Sequence, residues 1–369
     1  MRGLHEHDEP TLNLSVRSDV TPRNVLNISI RRVVGLTVTV FVGGFFGDEG
    51  KGKIIAYYSL VEKPRIAARG GVGPNAGHTV VFNGQAHRLR LVPSAFVNKD
   101  TRLVIGPGVL VDEAVLTKEV GELGVDGRIH VDNNCGLIEQ RHIEKDRGSS
   151  HLKQEIGTTG SGSGPAMEER VSRTLRLCSS SENLKPYLAD TVAMIHEELQ
   201  RGGLVVAEGT QGTFLSLYHG TYPYVTSKDV TASSICADIG VGPKHVGEVI
   251  VVFKSYVTRV GNGPLRGELD PAELERRGWV ERGTVTGRLR RAAPFDFELA
   301  KRAVKLNGAT ACAITKIDAV YPDAKGVREY SKLPADAKKF IEEVEVEVGV
   351  PVKYVGTGEE VFDTVTLER

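Results

Sequence analysis

In the stretch TVTVFVGGFFGDEGKGK, residues 37–53, a β-branched apolar run passes directly into a loop of glycines and lysines. As a short apolar, β-branched run it predicts a buried strand. A helix-compatible segment follows. Strand, glycine-lysine loop and helix in that order predict a phosphate-wrapping turn, and Gly47-x-x-x-x-Gly52-Lys53 nearly fits the Walker A pattern. Two features do not fit it. Ile54 stands where that pattern needs a metal-binding hydroxyl, and Asp48 and Glu49 are acids in a loop meant for an anion. Asp48 resolves the first difficulty, because a carboxylate is a good magnesium ligand among phosphate oxygens. It can also accept a proton from a substrate beside the γ-phosphate.

Working outward, short β-branched runs recur at 102–106, 128–131, 204–208, 248–253 and 309–315. Helical patterns lie between several of them. In 182–201, Leu184, Leu188, Val192, Ile195 and Leu199 step by four or three and predict one face of a helix. VVFNGQAHRLRL reads as a hairpin turning at Asn83-Gly84. The expected fold class is therefore α/β: a mostly parallel central sheet with helices on both faces and a P-loop-like GTP-binding architecture. Residues 37–369 read as a single domain. Residues 1–36 are polar for most of their length, without a sustained period, and read as a flexible extension in which His5 and His7 stand alone.

The chain has 369 residues, with 47 basic and 47 acidic side chains, so no net field draws it to nucleic acid or membrane. Arg31-Arg32 and the apolar run after them imitate a targeting signal. The run is too short to span a bilayer, which takes about 20 apolar residues. Four widely spaced cysteines contain no CxxC pair and read as buried free thiols of a cytoplasmic protein.

Sheets of this kind bind ligands at the carboxyl ends of their strands, so loops after strands carry the most information. GGVGPNAGH (70–78) permits close backbone approach and ends on His78, a candidate acid or charge stabiliser. IGTTGSGSGPA (156–166) suits a phosphomonoester, with Arg170 and Arg173 just downstream, but its composition equally fits a linker. LVVAEGTQGTF (204–214) ends a strand with Glu208, Gly209 and Gln211, whose amide can both donate to and accept from a purine edge. TYPYVTSKDVTASS (221–234) is dense in hydroxyls. GTVTGRLRR (283–291) is either a carboxylate clamp or a solvated basic patch. ITKID (314–318) resembles the base-reading element of GTP-binding proteins, in which Asp318 accepts the two N–H donors of guanine and Lys316 packs along the ring.

Taken in order, GDEGKGK, GPNAGHT, GTTGxGxGPA, EGTQG, HGTYPYVTS, TVTGRLR and TKID resemble the motifs of the adenylosuccinate synthetases, in their shorter, archaeal-type form. They run from Phe41 to Asp318, and VGTGEE (355–360) extends the match. The resemblance implies a GTP-dependent ligase that joins IMP to L-aspartate through a 6-phosphoryl-IMP intermediate and uses Mg2+. It implies Asp48 as base and metal ligand, His78 as acid, Gln211 beside the purine, and the Gly77 carbonyl facing the metal. GTP contacts are implied for Gly47, Glu49, Gly50, Lys51, Gly52, Lys53, Gly77, Thr79, Arg290, Lys316, Asp318, Gly356 and Gly358. IMP contacts are implied for Asn75, Thr159, Arg173, Gln211 and Thr226, with Arg173 reaching into the second subunit of a homodimer. Thr286, Arg288 and Arg290 are implied to hold aspartate.

Several positions depart from the family pattern. Phe45-Phe46 replace Gln-Trp, Val285 replaces a threonine, Leu289 interrupts an arginine run, and Glu359 takes the place of a proline. Two other readings compete: a phage-type relative acting on dGMP, which usually lacks the aspartate at position 48, and a GTP-binding regulator without ligase activity.

Overall fold

The computed structural model describes residues 37–283 and 287–367. The extension read over 1–36, with its two histidines, lies outside the described residues. A ten-stranded sheet organises the chain. In spatial order its strands are Thr364–Thr366, Val352–Gly356, Ala311–Thr315, Val246–Lys254, Val38–Gly43, Val205–Glu208, Ile66–Arg69, Arg102–Ile105, Ile129–Asp132 and Leu188–Ala189. All neighbours are parallel except the edge pair Val352–Gly356 and Thr364–Thr366. Each β-branched run read in the sequence is one of these strands.

The strand Val38–Gly43 lies near the middle and is buried throughout. Its alternating side chains enter two different cores: Val38, Val40 and Val42 one, Phe41 the other. The helix Lys51–Glu62 packs Ile54, Ile55 and Tyr58 on the Phe41 side, while Phe297–Asn307 and Ala335–Val348 cover the opposite face. Helices therefore lie on both faces, as the continuous apolar strands require. Asn83 (φ 52°) and Gly84 (φ 75°) turn the hairpin His78–Phe82/Gln85–Leu89. Two positive φ values in a two-residue loop match the twist of the strands it joins.

The helix read over 182–201 is shorter than its period indicates. It runs Thr191–Gln200 and starts at Asp190, whose carboxylate accepts from Ala193 N at 2.9 Å. Upstream, Pro186 sits in a tight turn Lys185–Tyr187, and Leu188 belongs to the edge strand Leu188–Ala189. Proline and a strong N-cap set the boundary that side-chain spacing alone blurred. All four cysteines are buried and unpaired, as expected. No helix among the described residues is long and apolar enough to cross a membrane.

Candidate active site

The loops after the central strands meet at the carboxyl edge of the sheet around a cavity of about 1060 Å³. GDEGKGK forms one wall. Asp48 (φ 62°) and Gly50 (φ 82°) both take left-handed backbone, and Gly50 caps the helix Lys51–Glu62 with no side chain covering its first N–H groups. A bare helix N-terminus of this kind attracts anions.

The loop is held from beneath by Glu49. Its Oε1 accepts from Phe45 N at 3.0 Å and Gly47 N at 2.7 Å, and its Oε2 accepts from Lys51 Nζ at 3.0 Å. A Cβ at Gly43 would stand 2.4 Å from Glu49 Oε2, and one at Gly212 would stand 2.4 Å from Oε1. The neighbouring glycines are therefore required by this buried carboxylate. Lys51 also donates to the Gln211 carbonyl. The second acid fastens the loop and one of its lysines, and only its main chain is left for the cavity. Lys53 donates to the carbonyls of Gly358 (2.6 Å) and Asp363 (2.5 Å) at the far end, and burial lowers its pKa to about 8.

Asp48 stands at the cavity surface, with Oδ2 2.8 Å from Arg290 Nε. Burial pushes its carboxyl up against the pull of Arg290 and Lys254, which brings a carboxylate closer to the range a general base needs. Arg290 also donates to Glu281 Oε2 at 2.5 Å.

His78 adjoins the GDEGKGK loop, where a Cβ at Gly52 would stand 3.0 Å from the His78 Cβ, and its Nδ1 lies 2.6 Å from Glu208 Oε1 and 2.7 Å from Arg69 Nη1. Arg69 also donates to Glu208, whose remaining capacity takes Ser94 N at 2.7 Å and Ser94 Oγ at 2.8 Å. The other ring nitrogen, Nε2, has no partner among the described residues, and His78 lines the cavity. Burial, then Arg69, brings the ring down to about 4 despite the Glu208 hydrogen bond. Burial works to raise Glu208, but Arg69 and His78 outweigh it and hold the carboxyl at about 2.

Between the ordinary histidine value of 6.5 and about 4, the unfolded chain binds a proton that the folded ring refuses. Acid therefore removes stability across that window first. Glu208 adds a second loss between its ordinary 4.5 and about 2, where its stabilising charge is neutralised. Urea midpoints are expected to fall as pH drops through the upper window. His78→Asn is expected to flatten that part of the profile alone; an unchanged profile would contradict the buried neutral ring.

Around the remaining wall, Asn75 Nδ2 donates to Thr226 Oγ1 at 3.2 Å, while its buried Oδ1 and the Nε2 of Gln211 (φ 54°) have no partner among the described residues. Thr159 Oγ1 pairs with Ser161 Oγ at 2.9 Å, and Arg288 donates to Gly157 O at 2.7 Å. Orphan buried polar atoms are rare unless a ligand or ion completes them.

A sequence model of the family described as "Adenylosuccinate synthetase" matches residues 40–180 and 174–323. The chain belongs to the adenylosuccinate synthetase family. It is 51% identical over 335 residues to an adenylosuccinate synthetase of Methanococcus aeolicus, covering 90% of this chain and 100% of the relative. It is 53% identical over 343 residues to that of Methanocaldococcus jannaschii, covering 92% and 99%. The fold is similar to the fully ligated adenylosuccinate synthetase of Plasmodium falciparum, with TM-score 0.84, 24% identity, and 90% and 100% of the two chains covered. A cyanophage S-2L succinoaminodeoxyadenylate synthetase, bound to dGMP and dATP, is also similar, with TM-score 0.75, 25% identity, and 90% and 96% covered. The ligase reading fits these likenesses better than either alternative.

Most of the residues implied by the family motifs share the cavity, including the GDEGKGK loop, Gly77, Thr79, Gly358 and Lys316. Arg173 does not line it; its side chain is exposed and forms no hydrogen bond or ion pair among the described residues. Asp318, two residues after Lys316 (φ 60°), keeps a buried Oδ1 without a partner among the described residues. Gly356 lies behind, where a Cβ would stand 3.2 Å from Lys53 Nζ. Thr286 and Val285 lie outside the described residues. Phe45 packs on Phe253 (5.0 Å) and Phe295 (5.3 Å), and Phe46 takes the Arg259 guanidinium over its ring at 4.4 Å. Arg69, and Glu281 with Lys254 and Tyr256, had no local signal in the sequence, whereas Glu208 opens EGTQG at a strand end.

Proposed function

We infer that this chain joins IMP and L-aspartate at the expense of GTP, giving adenylosuccinate, GDP and phosphate. The carrying observation is that Asp48 and the ring of His78 and amide of Gln211, each with an Nε2 that has no partner among the described residues, line one cavity with the anion-ready end of the helix Lys51–Glu62. Asp48 takes the proton from ring nitrogen 1 of IMP, and the 6-oxygen attacks the γ-phosphate. The amine of aspartate then displaces phosphate from carbon 6. His78 presents Nε2 to the transferring phosphoryl group, whose negative charge favours the protonated ring that burial alone disfavours. Phosphoryl transfer depends mostly on positioning and electrostatics, which suits a loop fastened by Glu49 and closed by lysines.

The donor set fits magnesium. The Asp48 carboxylate and Gly77, whose carbonyl is a second hard oxygen, line the same cavity, and this ion is usually held by one or two carboxylates plus phosphate oxygens. When bound, Mg2+ offsets charge on the β- and γ-phosphates.

Thr159 receives the IMP phosphate, Asn75 and Thr226 are further IMP contacts, Gln211 lies beside the purine, and Thr286, Arg288 and Arg290 hold the aspartate. Lys316 and Asp318 read guanine, for which the unpartnered Oδ1 of Asp318 offers an acceptor. An exposed Arg173, away from its own cavity, supports a homodimer in which it completes the IMP site of the second copy. Residues 37–369 act as one cytoplasmic domain, with 1–36 as an appendage.

Phosphate release with each substrate omitted in turn tests this reading. Release is expected only with GTP, IMP and aspartate together. Hydrolysis indifferent to IMP and aspartate would favour a GTP-binding regulator, and dGMP replacing IMP would favour the phage-type reaction.

A further inference from the structure

Glu281 is the most heavily used carboxylate in the cavity wall, and none of the roles above includes it. Its Oε2 accepts from Lys254 Nζ at 2.6 Å and Arg290 Nη1 at 2.5 Å. Its Oε1 accepts from Tyr256 Oη at 2.5 Å and lies 3.7 Å from Lys316 Nζ. Buried charges are tolerated only when paired and hydrogen-bonded. Here one carboxylate serves three cations.

Its place is set by two independent packing features. Glu281 and Arg290 face each other between two backbone-paired stretches: Arg290 N donates to Glu281 O at 2.9 Å and Gly283 N donates to Arg288 O at 2.8 Å. The side-chain pair therefore reinforces the backbone pairing that holds Arg288. On the other side, the Tyr256 ring stacks on Trp279 at 4.2 Å and 12°, and Trp279 Nε1 donates to Ala319 O at 3.1 Å, in the helix just after Lys316. Lys254 Nζ sits 4.4 Å over the same Tyr256 ring. One end of this assembly is Arg290 against Asp48; the other is Lys316.

We propose that Glu281 is a positioning residue that sets Arg290 for aspartate and Lys316 for guanine at once, so that the two subsites share one carboxylate. This rests on the ligase reading. Without the charge, Lys254 and Arg290 repel each other and Arg290 is left to Asp48 alone. Lys316 loses its only ion-pair partner among the described residues.

The test is steady-state phosphate release by wild type, Glu281→Gln and Glu281→Gln/Lys254→Met, varying each substrate. Glu281→Gln is expected to raise KM for aspartate and for GTP about tenfold each, the loss typical of a charged hydrogen bond, while KM for IMP stays within about twofold. Adding Lys254→Met is expected to restore part of the aspartate KM, because the repulsion is gone. Unchanged aspartate and GTP KM values would overturn the proposal. So would an equal rise in all three, the mark of a merely structural residue. If Glu281→Gln does not fold, Tyr256→Phe carries the test: it keeps the charge, removes one donor, and is expected to raise KM for GTP about threefold, with no change overturning the proposal. A wild-type enzyme that ignores IMP and aspartate would sink the ligase reading and this proposal together, whereas flat KM values in an active enzyme sink this one alone.

Discussion

Asp48→Asn is expected to lower kcat for IMP- and aspartate-dependent phosphate release about a thousandfold, within the range a positioned general base contributes. The substitution isolates chemistry from architecture. Position 48 has a φ of 62°, a backbone that asparagine tolerates almost as readily as aspartate and that alanine does not. The loop therefore keeps its shape, because Glu49 and not Asp48 fastens it. Arg290 loses one partner but keeps Glu281. GTP should accordingly still bind, more weakly without the carboxylate that favours the metal. Steady-state kinetics with calorimetric GTP titration checks both halves. A kcat within tenfold of wild type would remove Asp48 from the base role.

Glu208→Gln is expected to damage both stability and turnover. Glu208 is wholly buried and accepts from Arg69, His78, Ser94 N and Ser94 Oγ. Neutralising it leaves Arg69, 1% exposed, as a buried cation facing an amide. Breaking a buried pair on one side costs about 3–5 kcal/mol. His78 loses the carboxylate that orients its ring, so kcat should fall about a hundredfold even in the folded fraction. The double variant Arg69→Met/Glu208→Gln is expected to recover most of the stability, since the stranded charge is gone, but not the turnover. Urea unfolding with kinetics on the same preparations separates the two effects. Recovery of turnover in the double variant would show that His78 does not depend on Glu208.

Much of the fold is legible locally because buried parallel strands announce themselves as continuous β-branched runs. The strand Val38–Gly43, the hairpin at Asn83-Gly84 and the strand before ITKID all carry their own signals. The edge of the sheet is less legible: Leu184 and Leu188 mimic a helical period and end up in a turn and a two-residue strand. Ile66–Arg69, short and alanine-rich, has no pattern of its own, yet pairs with two neighbours in the middle of the sheet. The chemistry divides in the same way. Orphan atoms on Asn75, His78 and Gln211 sit in glycine-rich segments that mark themselves as ligand loops.

The sequence by itself determined that a phosphate loop with an acid in it follows a buried strand, and which residue types surround the ligands. Those follow from neighbours in the chain, where spacing and composition speak directly. Tertiary structure alone decided what each acid of GDEGKGK does: Asp48 faces the cavity and Arg290, while Glu49 turns under the loop to hold two N–H groups and Lys51. It alone joined His78 to Glu208, 130 residues apart, and Glu281 to Lys254, 27 residues apart. The order of parallel strands and one backbone pairing set those meetings, and a buried charge selects its partner by what packing brings within reach.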